Sequence, residues 1–275
     1  MARGVLLMET IDVAAVLEDA HSCIRSSRQP VGRLRTGVDL GTATCVITVI
    51  DDDDQPVWID FDRTAAVRDG VVVDFAAAVN AVRQLKARAE DELGRELLTG
   101  ATAFPPCIGE ADSRACRFVL EGAGFEDVAL VDEVTAANNT LGIKDGVVVD
   151  VGGGSTGVGV LRDGELVALD DRAGGGHHLD LVLAGALGID LAEAEKRKRA
   201  GHHDYLAILR PGIERIASSI RDLTTGADEL DVHLAGGALM LPGADTVISK
   251  FLGREVRSYP HALLITPLGI ARYAS

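Results

Sequence analysis

Apolar and polar positions along the chain change period several times, and each change marks an element. From Thr36 the residues TGVDLGTATCVITVI form two apolar stretches separated by a turn of glycine, threonine and alanine, and after DDDDQP a third follows in VWIDF. Apolar runs of this length between turn residues predict buried strands. The same order returns near Val147 as GVVVDVGGGSTGVGVL, the turn RDG, then ELVALD. Each unit is a strand carrying an aspartate, a turn of small and hydroxyl residues, a second strand, an acidic turn and a third strand. Asp39 and Asp150 hold matching places 111 positions apart (150 − 39). The chain therefore carries an internal duplication whose period is about one lobe.

Helical patterns fill the intervals. DFAAAVNAVRQLKARAEDELG (74–94) is apolar at the helical spacing and stops at a glycine, as does SRACRFVLEGAG (113–124). After the second unit come HHLDLVLAGALG, LAEAEKRKRAG and PGIERIASSIRDLTTG, with Pro211 placed to open a helix. DVHLAGG (231–237) reads as a short strand before a last helical block. Residues 1–32 read as a loosely amphipathic helix through Val5, Leu6, Ile11, Val16 and Leu17, ending in the polar linker SSRQPVGR. That segment suits either a helix packed on the surface or a docking piece for a partner. Strands and helices mixed in two similar halves predict an α/β protein with a cleft between lobes.

Charge narrows the range of partners. A formal charge of −15 and a pI near 4.8 argue against nucleic acid and against an anionic membrane surface, since both are held mainly by basic patches. No apolar run approaches the roughly 18–20 residues of a bilayer span, and the start of the chain lacks the order of a signal peptide. The expected location is the cytoplasm. Cys23, Cys45, Cys107 and Cys116 show no paired or metal-type spacing, which predicts reduced, mostly buried thiols. The doublets His177–His178 and His202–His203 are poor metal sites without further ligands, because neighbouring side chains point in different directions.

The two turns carry the chemistry. Without β-carbons, backbone N–H groups converge on a phosphate, and a Ser or Thr hydroxyl adds a donor. Two such turns, placed symmetrically and each preceded by a strand aspartate, are suited to hold a polyphosphate from both sides. Asp39 and Asp150 then face the cation that neutralises it, and magnesium suits one or two carboxylates plus phosphate oxygens.

GVDLGTAT (37–44), VVVDVGGGSTGVGV (147–160) and LAGGALMLPG (234–243) resemble the first phosphate, second phosphate and adenosine motifs of the superfamily of actin, sugar kinases and DnaK-type chaperones. LVDEVTAANNTLG (130–142) and TPLGIARYA (266–274) resemble its two connecting motifs. AVRDGVVVDF (66–75) is similar to a segment of MreB-type bacterial actins. VRDGVVVDF, the FPP of TAFPPC, VDEVTAANN, GGHHLDLVLAG and ITPLGIA resemble the ethanolamine-utilisation J family, a DnaK-like accessory family of bacterial microcompartments.

The resemblance implies an actin-like ATPase fold: two duplicated ribonuclease-H-like lobes around a nucleotide cleft, with reduced outer subdomains. Residues 1–32 would precede lobe I (33–145) and lobe II (146–275), the C-terminal helix returning to lobe I. By the same resemblance, Asp39 and Asp150 hold magnesium through water. Gly41, Thr42 and Thr44 lie along the β- and γ-phosphates, with Gly152, Gly153, Gly154, Ser155 and Thr156 opposite. Glu133 positions the attacking water, the alternative being a helix-start cap. Gly236 and Gly237 take the purine, Gly175 and Gly176 form a turn ahead of a helix, and Glu195 with Lys198 reaches ribose and adenine. The alternative for that last pair is a solvated charged face. One departure is His177 and His178 where relatives carry acids, with Asp180 retained.

Three functions fit. The first is an ATP- and magnesium-dependent accessory, chaperone- or reactivase-like, in a microcompartment, with slow hydrolysis. Its partner would be a protein such as a cobalamin-dependent ammonia lyase or a shell or cargo protein. The second is an actin-like assembly protein. The third is a small-molecule kinase, disfavoured by the lack of an acceptor-binding insertion. By the same resemblance, the short outer regions and the end at TPLGIARYAS would be expected to leave no room for a peptide-binding domain.

Overall fold

The structure, a computed structural model, describes residues 12–68, 70–201 and 204–274. Val5, Leu6, Ile11 and the doublet His202–His203 lie outside the described residues. The described chain opens with helix α1 (Val13–Ser22). The first half then runs β1 (Arg35–Leu40), β2 (Thr44–Ile50), β3 (Pro56–Arg63), a small hairpin of β4 (Val67–Arg68) and β5 (Val71–Val72), α2 (Phe75–Leu93), β6 (Thr99–Phe104), α3 (Glu110–Gly122), β7 (Asp127–Asp132) and α4 (Glu133–Leu141). The second half repeats the plan with β8 (Gly146–Val151), β9 (Ser155–Arg162), β10 (Glu165–Ala173), α5 (Gly176–Leu187), α6 (Leu191–Ala200), α7 (Leu206–Leu223), β11 (Val232–Ala235), α8 (Ala244–Leu252), β12 (Val256–Arg257) and α9 (Ile265–Tyr273).

Each half builds one five-stranded sheet, in the orders β3-β2-β1-β6-β7 and β10-β9-β8-β11-β12. Three strands pair antiparallel, and the last two join parallel through helical crossovers. Even the register repeats. Asp39 pairs with Val46 and Asp150 with Gly157, each seven residues on (46 − 39 and 157 − 150). The duplicated α/β architecture read from the sequence is the one observed.

Local chemistry sets most boundaries. Asp74 caps α2 by accepting from Ala77 N–H at 2.9 Å, and Gly94 ends it in the left-handed region. Pro211 does not open a helix; it lies inside α7, which begins at Leu206. Its cost is offset by an apolar face through Leu209, Ile213, Ile216 and Ile220, all buried, that continues across the proline. The last helical block contains a two-residue strand, β12, as well as helices.

The two halves are joined by an exchange of helices. Helix α4 covers the second sheet, its Val134 lying over Gly157 and Gly159 of β9. Helix α9 covers the first sheet, where a β-carbon on Gly37 of β1 would sit 2.4 Å from Ala271 N. The two helices cross at Gly269 and Ala136, so closely that a β-carbon on Gly269 would stand 1.6 Å from the Ala136 carbonyl oxygen. Only glycine fits there. Helix α1 joins this central core with Leu17, Ala20 and Cys23 fully buried, in one cluster with Ile59 and Leu264. Full burial of Leu17 contributes about 1.5–3 kcal/mol by itself. The chain after α1 then runs beside β3, Arg25 N–H donating to Ile59 O at 2.8 Å and its guanidinium pairing with Asp60 at 2.7 Å.

All four thiols are free: Cys23, Cys45 and Cys116 are buried and Cys107 is exposed. Among the described residues no helix is long and apolar enough to cross a membrane.

Candidate functional site

Both aspartate-bearing strands end in a three-residue turn closed by the same bond. Gly41 N–H donates to Thr44 O at 3.1 Å, and Gly152 N–H to Ser155 O at 3.1 Å. The turns face each other in contact, since a β-carbon on Gly153 would lie 3.3–3.4 Å from Ala43 and Thr42. Between the halves lies a cleft of about 740 Å³, ample for a nucleotide-sized ligand. Asp39, Gly41, Thr42, Thr44, Glu133 and Asp150 line it, as do Gly152, Gly153, Gly154, Ser155, Gly176, Glu195, Lys198, Gly236 and Gly237. Thr156 and Gly175 do not. The Thr156 hydroxyl donates to Gly174 O at 2.7 Å, and Gly175 sits behind the second turn, where a β-carbon would lie 2.4 Å from Gly152 O.

The segment holding Gly175 gives the second turn its shape. Gly176, His177 and Gly174 donate their N–H groups to the carbonyls of Gly152, Gly153 and Gly154 at 2.9, 2.8 and 2.8 Å. A peptide unit is planar with its N–H opposite its C=O. The carbonyls of Gly152 and Gly153, drawn toward the start of α5, therefore turn the next amides, those of Gly153 and Gly154, to the opposite side of a turn that lines the cleft. Among the described residues neither amide has a protein acceptor. The start of α5 thus acts as a clamp on the turn, and its first N–H groups are engaged there.

Acidic groups meet beside these amides. Asp132 caps α4, accepting from Thr135 N–H at 2.8 Å, so Glu133 is relieved of capping and its carboxyl faces the cleft. Burial, then the charge of Asp150, pushes Asp39 up to about 7. Burial also raises Glu133 well above the usual range, with the charges of Asp150, Asp39 and Asp171 adding to it. Asp150 is raised by burial, opposed by the Thr266 hydroxyl, which donates to its Oδ2 at 2.5 Å. The other oxygen lies against Gly236, whose φ of +82° and lack of a β-carbon allow the approach. Three carboxyls thus share a site that disfavours their charge.

The cations on the cleft wall are already engaged. Lys198 pairs with Asp180 at 2.7 Å, both nearly buried, and donates to Gly176 O at 2.8 Å, binding α6 to α5. Glu195 pairs with Arg63 at 3.2 Å across the mouth and with Arg199 at 3.3 Å. Glu195 and Lys198 share a helix face, as their spacing predicts, but both side chains meet protein partners. His177 lies on the wall and His178 packs edge-on to it, ring centroids 6.3 Å apart. Sequence reasoning missed Arg63, the partners of Lys198 and the bond from Thr266. All three are long-range pairings with no local signature. Also unsignalled is the bond from the Cys107 thiol to Asp170 at 3.0 Å, which ties the loop after β6 to β10 in the other half.

Comparison with known proteins fits this architecture. The family model of the MreB/Mbl protein matches residues 60–184, and that of the type IV pilus assembly protein PilM matches residues 134–258. The ethanolamine utilization protein EutJ of Escherichia coli is 40% identical over 253 residues, covering 92% of this chain and 90% of the relative. The chain belongs to the EutJ family. The crystal structure of EutJ from Carboxydothermus hydrogenoformans superposes on this EutJ-family chain with a TM-score of 0.90 at 40% identity, covering 95% and 98% of the two chains. MreB5 of Spiroplasma citri bound to AMPPNP gives a TM-score of 0.72 at 16% identity, over 87% and 95%, which shows a shared actin-like fold.

Proposed function

We propose that this chain binds ATP with magnesium in the interlobe cleft and serves as a DnaK-like accessory protein of ethanolamine utilisation. The observation that carries the reading is the pair of amides on Gly153 and Gly154, without a protein acceptor among the described residues, in a turn lining a cleft whose three acids have, among the described residues, no cationic side chain free to meet them. Such amides suit phosphate oxygens, and clustered carboxyls suit a hydrated divalent cation. That a protein of this fold is bound to AMPPNP supports the choice of ligand.

Magnesium, when bound, supplies positive charge that neutralises phosphate and acids together. Asp39 and Asp150 would hold its shell through water. Gly153 and Gly154 donate to phosphate oxygens, Thr42, Thr44 and Ser155 offer hydroxyls, and Gly236 and Gly237 leave room for the base. Glu133, freed from capping, accepts a proton or orients water at the phosphate end, which is the requirement of slow hydrolysis. Lobe closure about the nucleotide then alters affinity for a protein partner. The relative's name, ethanolamine utilization protein, supports a protein partner from that process; a cobalamin-dependent ammonia lyase, or a shell or cargo protein of a microcompartment, would fit.

Calorimetry with ATP, ADP and magnesium tests this. Asp39→Ala and Asp150→Ala should each weaken magnesium-dependent binding, while Glu133→Ala keeps binding and loses turnover. Wild-type protein that takes up no nucleotide would refute the reading. A second reading, nucleotide-controlled assembly, is favoured by β10, a nine-residue edge strand exposing Leu166, Val167 and Leu169. Sedimentation of filaments with ATP would support it, and a monomer at high concentration would count against it.

A further inference from the structure

Helices α4 and α9 meet at Ala136 and Gly269, and three residues toward the N-terminus from each contact lie Glu133 and Thr266. The crossing makes these two residues counterparts, each in the first turn of its helix and each on the cleft wall. Their chemistry is opposite: one half presents an acid, the other a hydroxyl. An acid at 266 would put a fourth carboxyl beside Asp39, Asp150 and Glu133. Threonine instead has one proton to donate, and it goes to Asp150 Oδ2 at 2.5 Å.

We infer that Thr266 is a positioning residue, its hydroxyl fixing the Asp150 carboxylate in the orientation that serves the cation-binding end of the cleft. Three observations converge. Thr266 is 3% exposed, so its hydroxyl is held within the wall and has little water to compete with Asp150. Its helix is itself fixed: the Thr140 hydroxyl donates to Ile265 O at 2.8 Å, and Gly269 seats on Ala136, so the donor stands on a rigid element. With Oδ2 engaged and Oδ1 beside Gly236, Asp150 has little freedom to rotate. Asp39, its counterpart in the first half, has no such donor among the described residues.

The assignment rests on the nucleotide and magnesium reading, and the test separates the two. ADP is titrated into wild type, Thr266→Val and Thr266→Ser, each with magnesium and again with EDTA. Magnesium should raise the affinity of wild type and of Thr266→Ser alike. Thr266→Val, which keeps the shape and removes the proton, should lose about tenfold of that gain while its affinity in EDTA stays within twofold of wild type. A Thr266→Val protein with the full gain, or one weakened equally in both buffers, overturns the assignment and leaves the reading standing. If Thr266→Val fails to fold, Thr266→Ala replaces it: loss of the gain in Ala but not Ser supports the role, and equal behaviour of the two overturns it. Wild type that gains nothing from magnesium overturns both.

Discussion

The turn after β1 and the turn after β8 share a closure bond and a preceding aspartate, yet they are held differently. Three carbonyls of the second turn are clamped by the segment 174–177, whereas those of Gly41, Thr42 and Ala43 have no such donors among the described residues. The duplicated unit therefore holds two copies of one loop, and only one of them is clamped. On the nucleotide reading proposed above, the clamped second turn would be preorganised for an anion and the unclamped first turn would be left to adjust, two tasks that one rigid loop could not perform.

Substitutions can break this comparison. The largest effect should come from Gly175→Ala, whose methyl would stand 2.4 Å from Gly152 O and push the second turn out of shape. Nucleotide affinity should fall roughly 100-fold, about 2.7 kcal/mol, by calorimetry. Next is the pH response of the ligand-free protein. Because Asp39 is raised to about 7, the folded state binds more protons than the unfolded state between about pH 4 and pH 7. Its contribution to stability therefore falls as pH rises through that window. Asp39→Asn should remove the fall and be more stable than wild type at pH 7.5 by on the order of 2 kcal/mol in urea unfolding. Asp150→Asn should gain less, since Thr266 already favours the ionised form.

Two smaller effects concern the ties between the halves. Asp170 and Asp171 push the Cys107 thiol up to about 12, suppressing its thiolate. Asp170→Asn should speed alkylation of Cys107 by about tenfold at pH 8, measured by mass spectrometry. Arg63→Ala, removing an exposed partner of Glu195, should change unfolding free energy by less than about 0.5 kcal/mol.

Much of the architecture was legible because it is written in local patterns. The doubled strand–turn–strand unit, the stop of α2 at Gly94, and the position of the cleft follow from periodicity and turn chemistry. Pro211 misled because a local helix-start rule was outweighed by the apolar face of α7. The β4–β5 hairpin and β12, two residues per strand, are too short to carry a period. Within the cleft the backbone turns could be read from their glycine and hydroxyl residues after a strand aspartate, but side-chain partnerships could not. Lys198 is defined by Asp180 and Gly176, Glu195 by Arg63, and Asp150 by a threonine 116 positions away.

The seat of Gly269 on the Ala136 carbonyl has a mechanical meaning. Two backbones touching with no side chain between them resist sliding but tolerate swivelling, so the lobes should scissor about that rivet. Glu133 and Thr266, one turn from it, would then travel little, while Arg63 and Glu195 at the open ends of the blades would sweep farthest.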